Sequence, residues 1–316
     1  MSHIVTNIIE HNATVKEFHL RRRDGAALPD WRPGSHVVLR FSSADGDLFE
    51  KHYSLIGMPG LTDTYRIAVQ REENGKGGSI TLHDEITTGS QIGVSNPVDN
   101  FPLKIQSQQG RILLIAGGIG ITPMISMACA LTAQNIPFTL HYLVSDEKRL
   151  ILLDELRAIP NIVLHYHGSL QSGRANLEEI VGPYQPGDSF YACGPAGLLQ
   201  GLAEAGVAKG WPVDAMQFES FGARAEIDDV PLTVELSLSE VTVEVAPGTS
   251  ILDALIAAEV FVSYDCQRGE CGQCYTTVLE GEALHRDVCL TPDMRSTGMC
   301  PCVSWAKKPG RLVLEI

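Results

Sequence analysis

Cysteines near the C-terminus have a spacing suited to binding iron. Four of them follow the pattern C-x4-C-x2-C-x27-C: Cys266, Cys271, Cys274 and Cys302. Three thiolates on one short loop and a fourth from far downstream are typical of plant-type [2Fe–2S] clusters. Gly269 and Gly272 lie in the same loop, and glycine lets backbone N–H groups approach cluster sulfurs. We therefore expect a site that transfers single electrons.

The choice of the fourth cysteine depends on its distance along the chain. Cys289 lies too close to the loop for a distant return, whereas Cys300 and Cys302 are both far enough. Cys302 leads into the last apolar run and is the predicted ligand, with Cys300 as the alternative. Zinc sites use two separated C-x2-C pairs and this chain has one, so a zinc-binding interaction module is the non-enzymatic alternative.

Composition limits the class of protein. The 316 residues include 38 acidic and 24 basic side chains, a formal net charge of −14. Such a charge argues against a nucleic-acid partner and permits an electrostatically steered protein partner. The N-terminus lacks the pattern of a signal peptide. The uncharged stretch 112–143 is interrupted by glycine and proline, so we expect no membrane span and a cytoplasmic protein.

The elements that must position the cysteines and their electron source fall into three predicted domains. Residues 1–103 alternate short apolar and polar runs, which predicts an antiparallel β-barrel. Strand-like and helical patterns alternate over 108–222, which predicts an α/β nucleotide-binding domain with a parallel sheet. After a polar linker, residues 232–316 form an α+β unit around the cysteine loop. The predicted fold class is therefore multidomain.

A glycine-rich turn follows the first strand of the α/β domain. Its sequence from Gly117 to Pro123 is GGIGITP, which is not G-x-G-x-x-G. Glycines would still let the backbone approach a pyrophosphate at the helix start, with Thr122 as the helix cap and Pro123 in the first turn. The residues predicted to bind nucleotide here are Gly117, Gly118, Gly120, Thr122 and Pro123.

A second turn, YACGPAG, ends another strand of the same sheet. Ligands bind at the carboxyl ends of strands in such sheets, so both turns should lie at one site. The predicted residues of the second turn are Cys193, Gly194 and Pro195. Asp146 follows the second strand of the domain, where its carboxylate would bond a ribose hydroxyl and favour NADH over NADPH; a solvated turn is the alternative.

A flavin is expected because NADH gives two electrons together and the cluster accepts one at a time. Two segments of the barrel are candidates for holding it. The first is Lys51, His52, Tyr53 and Ser54, which ends a strand; the second is Lys76, Gly77, Gly78 and Ser79, a basic glycine-rich loop able to cradle a phosphate.

The order of these segments resembles one family over essentially the whole chain. KHYS, KGGS, GGIGITP, YACGP, FESFGA and the C-terminal cysteines are together similar to phthalate dioxygenase reductases, a group that includes vanillate demethylase reductases. The resemblance implies FMN in the barrel, NADH in the middle domain and a β-grasp-like ferredoxin domain at the C-terminus. The choice of FMN over FAD rests on this resemblance.

The resemblance also implies roles for single residues. Lys51, Gly78 and Ser79 would hold the flavin phosphate, and Tyr53 would pack beside the ring. Ser54 would lie near its reactive nitrogen, and the backbone of Ala68, Val69 and Gln70 would contact the ring. Thr122 and Phe221 would line the flavin–nicotinamide contact, with Cys193 near the nicotinamide. Two positions depart from the family: Lys51 and Ser145 stand where arginine is usual, and Lys51 therefore lacks the bidentate fork.

The function implied is that of an NADH-dependent reductase for a separate Rieske-type oxygenase acting on an aromatic acid or ether. The chain has no C-x-H…C-x2-H motif for a Rieske centre, so the oxygen-activating component must be another polypeptide. Residues 232–316 contain 12 acidic and 6 basic residues, which would favour a partner with a basic patch. A cytochrome P450 or a quaternary-amine oxygenase is the alternative acceptor.

Overall fold

The computed structural model describes residues 2–73, 75–105, 110–159, 163–168, 175–221, 225 and 228–316. The chain forms two compact units, one of residues 1–194 and 201–217 and the other of residues 195–200 and 218–316. The predicted domain boundaries at residues 108 and 222 lie outside the described residues. Within the described part of the chain, no helix is both long enough and apolar enough to cross a membrane.

The N-terminal region is an antiparallel barrel, as predicted. Its elements are β1 (Ser2–Asn12), β2 (Val15–Arg22), β3 (His36–Ser42), β4 (Leu48–Ser54), β5 (Tyr65–Gln70), α1 (Gly78–Asp84) and β6 (Gln91–Val94). The strand order is β4-β3-β6-β1-β2-β5, and β4 also contacts β5. Phe18, Leu20, Ile67 and Val69 fill the centre together with Leu82 of α1, because alternate residues of a strand point to the same face.

The second region contains the predicted parallel sheet. Its elements are β7 (Ile112–Gly117), α2 (Ile121–Ala133), β8 (Thr139–Val144), α3 (Leu153–Ala158), β9 (Val163–Gly168), α4 (Leu177–Val181), β10 (Ser189–Gly194), α5 (Ala196–Ala208) and β11 (Met216–Ser220). The order is β11-β10-β7-β8-β9, with β10, β7, β8 and β9 parallel. β7 and β10 are buried throughout. The strand order reverses between β7 and β10, where a crevice for ligands is expected.

Within the first unit, the barrel and the parallel sheet share a hydrophobic core. Ile56 and Ala68 of the barrel belong to the same buried cluster as Met124 and Tyr191. The ring of Phe101 meets Tyr191 edge-on with centroids 5.9 Å apart. This packing holds the barrel against the sheet edge that carries the glycine-rich turns.

The C-terminal region is a small mixed sheet with one main helix. Its elements are β12 (Leu232–Leu236), β13 (Thr242–Val245), α6 (Ile251–Ala257), β14 (Thr276–Glu280), β15 (Ala283–Leu284), α7 (Pro292–Thr297), β16 (Gly298–Met299), β17 (Trp305–Ala306) and β18 (Gly310–Leu314). β13, β12, β18, β14 and β16 form one sheet in that order. Ser250 caps α6 by accepting the N–H of Asp253 at 3.0 Å. The cysteine loop connects α6 to β14.

Candidate functional site

The cysteine loop requires a left-handed backbone. Gln267, Gly269 and Gly272 have positive φ angles of 55°, 71° and 72°. A Cβ on Gly269 would lie 2.6 Å from Cγ2 of Val303 and 3.0 Å from Cα of Asp287. Glycine is therefore needed at position 269 for both its conformation and its close packing.

These turns direct backbone donors at sulfur. The N–H groups of Arg268 and Glu270 each lie 3.4 Å from Sγ of Cys266, and the N–H of Gln273 lies 3.5 Å from Sγ of Cys271. Amide donors on the ligand sulfurs stabilise negative charge on a metal–thiolate cluster. The loop therefore has the polarity that such a cluster needs.

The four predicted ligands form two pairs. Sγ of Cys274 lies 3.3 Å from Sγ of Cys302, and the Cys266 side chain is hydrogen-bonded to Cys271. Burial raises the pKa of Cys266 to about 11. Within the described residues, no three His, Cys, Asp or Glu side chains converge as ligands of a single metal ion. Two thiolate pairs fit a two-iron cluster, in which each iron takes two protein ligands.

Cys300 is also buried near the loop, and its side chain is hydrogen-bonded to both Cys274 and Cys289. Its Sγ lies 3.9 Å from Sγ of Cys289. Hydrogen bonding to Cys300 and Cys302 lowers the pKa of Cys274 to about 3, while the backbone of Gly269 hydrogen-bonds to Cys302. Cys302 therefore faces both Cys274 and the cysteine loop, as expected of the fourth ligand.

Asp287 organises the segment between the loop and the fourth cysteine, and the sequence analysis missed it. Its buried carboxylate accepts the Ser304 hydroxyl at 3.2 Å and the Leu290 N–H at 3.3 Å. It also pairs with Nδ1 of His285 at 3.2 Å and Nε of Arg295 at 3.3 Å. Burial alone would raise the pKa of Asp287, but these partners hold it below its usual range.

Two charged residues inside the cysteine loop were also missed. Nη2 of Arg268 lies 3.3 Å from Oε2 of Glu270, and its Nη1 lies 3.6 Å from Oε1 of Glu219. Oε1 of Glu270 accepts the backbone N–H of Ser220 at 2.5 Å. Burial raises the pKa of Glu270 to about 7, against the opposing effect of Arg268. The sequence marks both residues as charged but gives no sign of their partners 50 residues away.

In the barrel, the two predicted phosphate segments meet. A Cβ on Gly78 would lie 2.8 Å from Cε of Lys51 and 3.2 Å from Cδ1 of Phe49. Gly77 has a φ of 86°, which favours glycine, and Lys76 is exposed. Lys51 thus lies directly over the glycine loop, and this arrangement fits a phosphate group.

The end of β4 presents an unsatisfied hydroxyl. Oγ of Ser54 is buried and has no hydrogen-bond partner among the described residues. Beside it, burial raises the pKa of Tyr53, and the His52 ring lies 5.1 Å from that of His36. A buried hydroxyl is normally hydrogen-bonded, so a bound polar group is the fitting partner for Ser54.

The remaining predicted flavin residues have partners within the barrel. The carbonyl of Val69 is hydrogen-bonded to Nε2 of His83 at 2.9 Å. Nε2 of Gln70 donates to Glu72 at 2.7 Å, and the Ser79 hydroxyl accepts the Glu72 N–H at 3.0 Å. Ser79 therefore organises its own loop.

The two nucleotide turns meet at the carboxyl ends of β7 and β10. A Cβ on Gly120 would lie 2.2 Å from the carbonyl oxygen of Cys193 and 2.9 Å from the nitrogen of Gly194. Gly118 has a φ of 55°, and an added Cβ there would meet nothing within 4 Å. Gly120 therefore allows the two turns to approach one another, and Gly118 supplies a left-handed backbone beside open space.

The predicted role of Thr122 as the cap of α2 is wrong. The N-cap is Gly120, which makes no side-chain hydrogen bond, and Thr122 lies inside the helix. Its hydroxyl donates to the carbonyl of Ile119 at 3.0 Å. After the preceding 3-10 turn the helix begins two residues earlier than predicted, so Pro123 is its third residue.

Asp146 and Phe221 are the remaining residues predicted to bind the nucleotide. Oδ1 of Asp146 accepts the N–H of Lys148 at 2.9 Å and so closes a local turn. Phe221 belongs to the second unit, as does Pro195, and is 40% exposed. Of the predicted nucleotide residues, Gly120 and Cys193 therefore lie together within the first unit, whereas Phe221 is part of the second unit.

Comparisons with known proteins agree with this geometry. Residues 234–307 match the family model of the 2Fe-2S iron-sulfur cluster binding domain, which confirms the predicted cluster domain. The chain is 34% identical over 305 residues to phthalate dioxygenase reductase of Burkholderia cepacia, covering 95% of this chain and 92% of that protein. It is 31% identical to the carnitine monooxygenase reductase subunit of Acinetobacter baumannii, covering 99% and 97%.

A solved structure extends the likeness to the whole fold. That structure is a phthalate dioxygenase reductase, described as modular for electron transfer from pyridine nucleotides to [2Fe-2S]. It superposes with a TM-score of 0.72 at 33% identity and covers 100% of this chain and 98% of its own.

Proposed function

The chain belongs to the phthalate dioxygenase reductase family, and on that premise we propose that it is an NADH-dependent reductase of a separate oxygenase. FMN and a [2Fe–2S] cluster would be its resident cofactors. FMN, when bound, would supply the conversion between the two-electron chemistry of NADH and the one-electron chemistry of the cluster. The work of the polypeptide is then to hold, orient and shield these groups.

The observation that carries the proposal is the paired arrangement of cysteines. Cys266 with Cys271 and Cys274 with Cys302 would each hold one iron. Both Cys300 and Cys302 contact Cys274, but Cys302, 3.3 Å from it, is also hydrogen-bonded to the backbone of Gly269 in the loop, whereas Cys300 contacts Cys289. Cys302 is favoured for that reason. The backbone donors already aimed at Cys266 would stabilise the negative charge of the thiolate ligands.

The barrel residues fit a flavin nucleotide. Lys51 over Gly78 would neutralise the phosphate, with Lys76 and Gly77 completing the loop. The buried Ser54 hydroxyl, unpartnered among the described residues, would hydrogen-bond to the polar edge of the ring. His52, Tyr53 and the backbone of Ala68, Val69 and Gln70 would line the ring.

The crevice between β7 and β10 would hold NADH. Gly120 lets the two turns pack together, and the open space beside Gly118 would allow close approach of a nucleotide to the backbone. Thr122 would line the flavin–nicotinamide contact, and Cys193 would lie near the nicotinamide. One carboxylate oxygen of Asp146 is bonded to Lys148, and the other would accept a ribose hydroxyl and repel a 2′-phosphate.

The predicted domains take separate parts of this function. Residues 1–103 would bind FMN, residues 108–222 would bind NADH and residues 232–316 would bind the cluster. None of the eight cysteines, all of them described, forms a disulfide, which suits a reducing compartment, and we place the protein in the cytoplasm.

The acceptor would be a protein with a basic docking surface. Residues 232–267 contain six acidic residues and no Lys, Arg or His, whereas residues 268–316 contain six of each sign. The whole excess of negative charge in 232–316 therefore lies in the first stretch. Phe261 and Tyr264, just before the cysteine loop, are 89% and 45% exposed. An apolar contact within an acidic surface suits transient docking of a basic partner.

Anaerobic titration with NADH tests the proposal. The purified holoprotein should contain iron and sulfide, and NADH should bleach its visible absorption. Cys302→Ser should lose the cluster iron yet retain NADH oxidation by a dye, since the flavin site is separate. Cys300→Ser is the matched control and should keep its cluster. A colourless wild-type protein containing zinc would overturn the proposal, and cluster loss in Cys300→Ser instead would overturn the choice of ligand.

The choice of acceptor is tested by reconstitution. A Rieske-type oxygenase for an aromatic acid or ether is the first candidate. The carnitine monooxygenase relative favours a quaternary-amine oxygenase as the second, and a cytochrome P450 is a further alternative. The true acceptor should accelerate NADH oxidation by the reductase, and this acceleration should weaken as salt screens the acidic surface.

A further inference from the structure

Arg268 and Glu270 each have two functions in the cysteine loop. Their backbone N–H groups both lie 3.4 Å from Sγ of Cys266. Their side chains are held by residues 219 and 220: Ser220 donates its N–H to Glu270, and Glu219 lies 3.6 Å from Arg268. The side-chain contacts thus hold in place the two amides that bond to the Cys266 sulfur.

The arrangement is buried and therefore geometrically demanding. The exposed fractions of the side chains are 1% for Glu219, 10% for Glu270 and 16% for Arg268. A single guanidinium lies between two carboxylates and contacts both. Buried charges cost free energy unless they are well paired, so removing the arginine would leave two carboxylates without their shared cation. The planar fork of arginine can reach both, which a lysine ammonium does less well.

Hydrogen bonds to ligand sulfurs and nearby charge are two factors that set the reduction potential of an iron–sulfur cluster. We propose that Arg268 and Glu270 are positioning residues that hold two N–H donors on Cys266 and thereby set the potential of the cluster. The inference rests on the proposed function, because it takes the cluster to be bound by Cys266, Cys271, Cys274 and Cys302. It assigns the Glu219–Ser220 segment a role in tuning the cluster.

The two residues should act in opposite directions. Reduction adds one negative charge to the cluster, so donors and cations favour the reduced form and carboxylates oppose it. Arg268→Met should lower the potential by removing a cation and loosening the amides. Arg268→Lys keeps the charge but not the shared contact, so it should lower the potential by less. Glu270→Gln keeps an acceptor for the Ser220 N–H while removing a negative charge, so it should raise the potential.

The experiment is a dye-mediated reductive titration of the full-length holoproteins, followed by electron paramagnetic resonance. Iron and sulfide are assayed first, so that an unloaded wild type is recognised as failure of the proposed function. For Arg268→Met we expect the ratio of oxidised to reduced cluster at a fixed applied potential to rise about tenfold. For a one-electron couple this corresponds to a reduction potential lower by about 59 mV.

Arg286 provides a matched control. It pairs with the buried Asp229 and is 15% exposed, but its backbone N–H donates to Ser304 rather than to a cysteine. Arg286→Met should therefore lower thermal stability and leave the potential unchanged. Loaded Arg268→Lys and Glu270→Gln proteins with the wild-type potential would overturn the inference. A shift of the cluster potential in Arg286→Met as large as that in Arg268→Met would overturn it as well. If Arg268→Met binds no cluster, the potentials of Arg268→Lys and Glu270→Gln still decide.

Discussion

Glu17 in the barrel and Glu270 in the cysteine loop are both buried glutamates, yet their pKa values are shifted in opposite directions. Burial alone would raise the pKa of Glu17, but hydrogen bonds from His11, His19 and Arg66 outweigh it and hold the pKa well below its usual range. Burial dominates at Glu270 and raises its pKa to about 7. The difference shows that the number of partners, rather than burial, decides which form is stable.

The partners explain the contrast. The carboxylate of Glu17 lies 2.8 Å from Nε2 of His11, 2.7 Å from Nε2 of His19 and 2.6 Å from Nε of Arg66. Arg66 also pairs with Glu155 of α3. This network joins three strands of the barrel to the α/β region within the first unit, so we expect it to stabilise the fold. Among the described residues, Glu270 pairs with one cation, Arg268, which it shares with a second carboxylate, so its ionisation contributes less.

The largest expected effect is on the Glu17 side of this contrast. Glu17→Gln should lower the free energy of unfolding by about 3 kcal/mol, because removing one partner of a buried ion pair leaves the others uncompensated. Urea denaturation followed by the fluorescence of buried Trp31 in the barrel core measures it. Glu10→Gln is the control, since Glu10 pairs with Lys16 at the surface and is 71% exposed. Its effect should stay within about 0.5 kcal/mol. Wild-type stability in Glu17→Gln would show that the network is dispensable.

A smaller effect is expected from acid. Unfolded Glu17 takes up a proton near pH of about 4.3, whereas folded Glu17 does so only at lower pH because its pKa is depressed. In that window the unfolded state binds more protons, so stability is lost as pH falls, at up to about 1.4 kcal/mol per pH unit. The groups facing this carboxylate are His11, His19 and Arg66, with Glu155 beyond the arginine.

Unfolding curves measured between pH 3 and pH 6 test this expectation. Glu17→Gln has no carboxyl at this position and should lose this part of the slope. An identical slope in wild type and variant would mean that other carboxylates account for the acid sensitivity.

Local patterns allowed the fold and the turns to be predicted. The cysteine spacing located the cluster loop, and the glycine-rich runs located turns whose close approach at Gly120 and Cys193 is now seen. Such features depend on residues close together in sequence or on the general rule that parallel strands end at one edge. The prediction that Thr122 caps α2 was wrong because a 3-10 turn precedes that helix.

Long-range charge networks could not be predicted in this way. Strand alternation places Glu17 opposite Phe18, which suggests an exposed glutamate, yet both are buried. The reason is Arg66, which lies 49 residues away in sequence and covers that face. Glu270 likewise meets Ser220 across 50 residues. Sequence patterns show one face of one element, whereas these contacts depend on how two distant elements pack.

The smallest expected effect on stability is at Glu270. Glu270→Gln should change the free energy of unfolding by less than about 1 kcal/mol, because the amide still accepts the Ser220 N–H and the lost charge shares its cation, Arg268, with Glu219. Urea denaturation followed by the fluorescence of Trp305, which is 1% exposed in the second unit, measures it. A loss as large as that of Glu17→Gln would show that Glu270 is a structural anchor. A small loss of stability together with a shifted cluster potential would show that Glu270 positions the loop and contributes little to folding. The same Glu→Gln change would then affect stability at position 17 and the cluster potential at position 270.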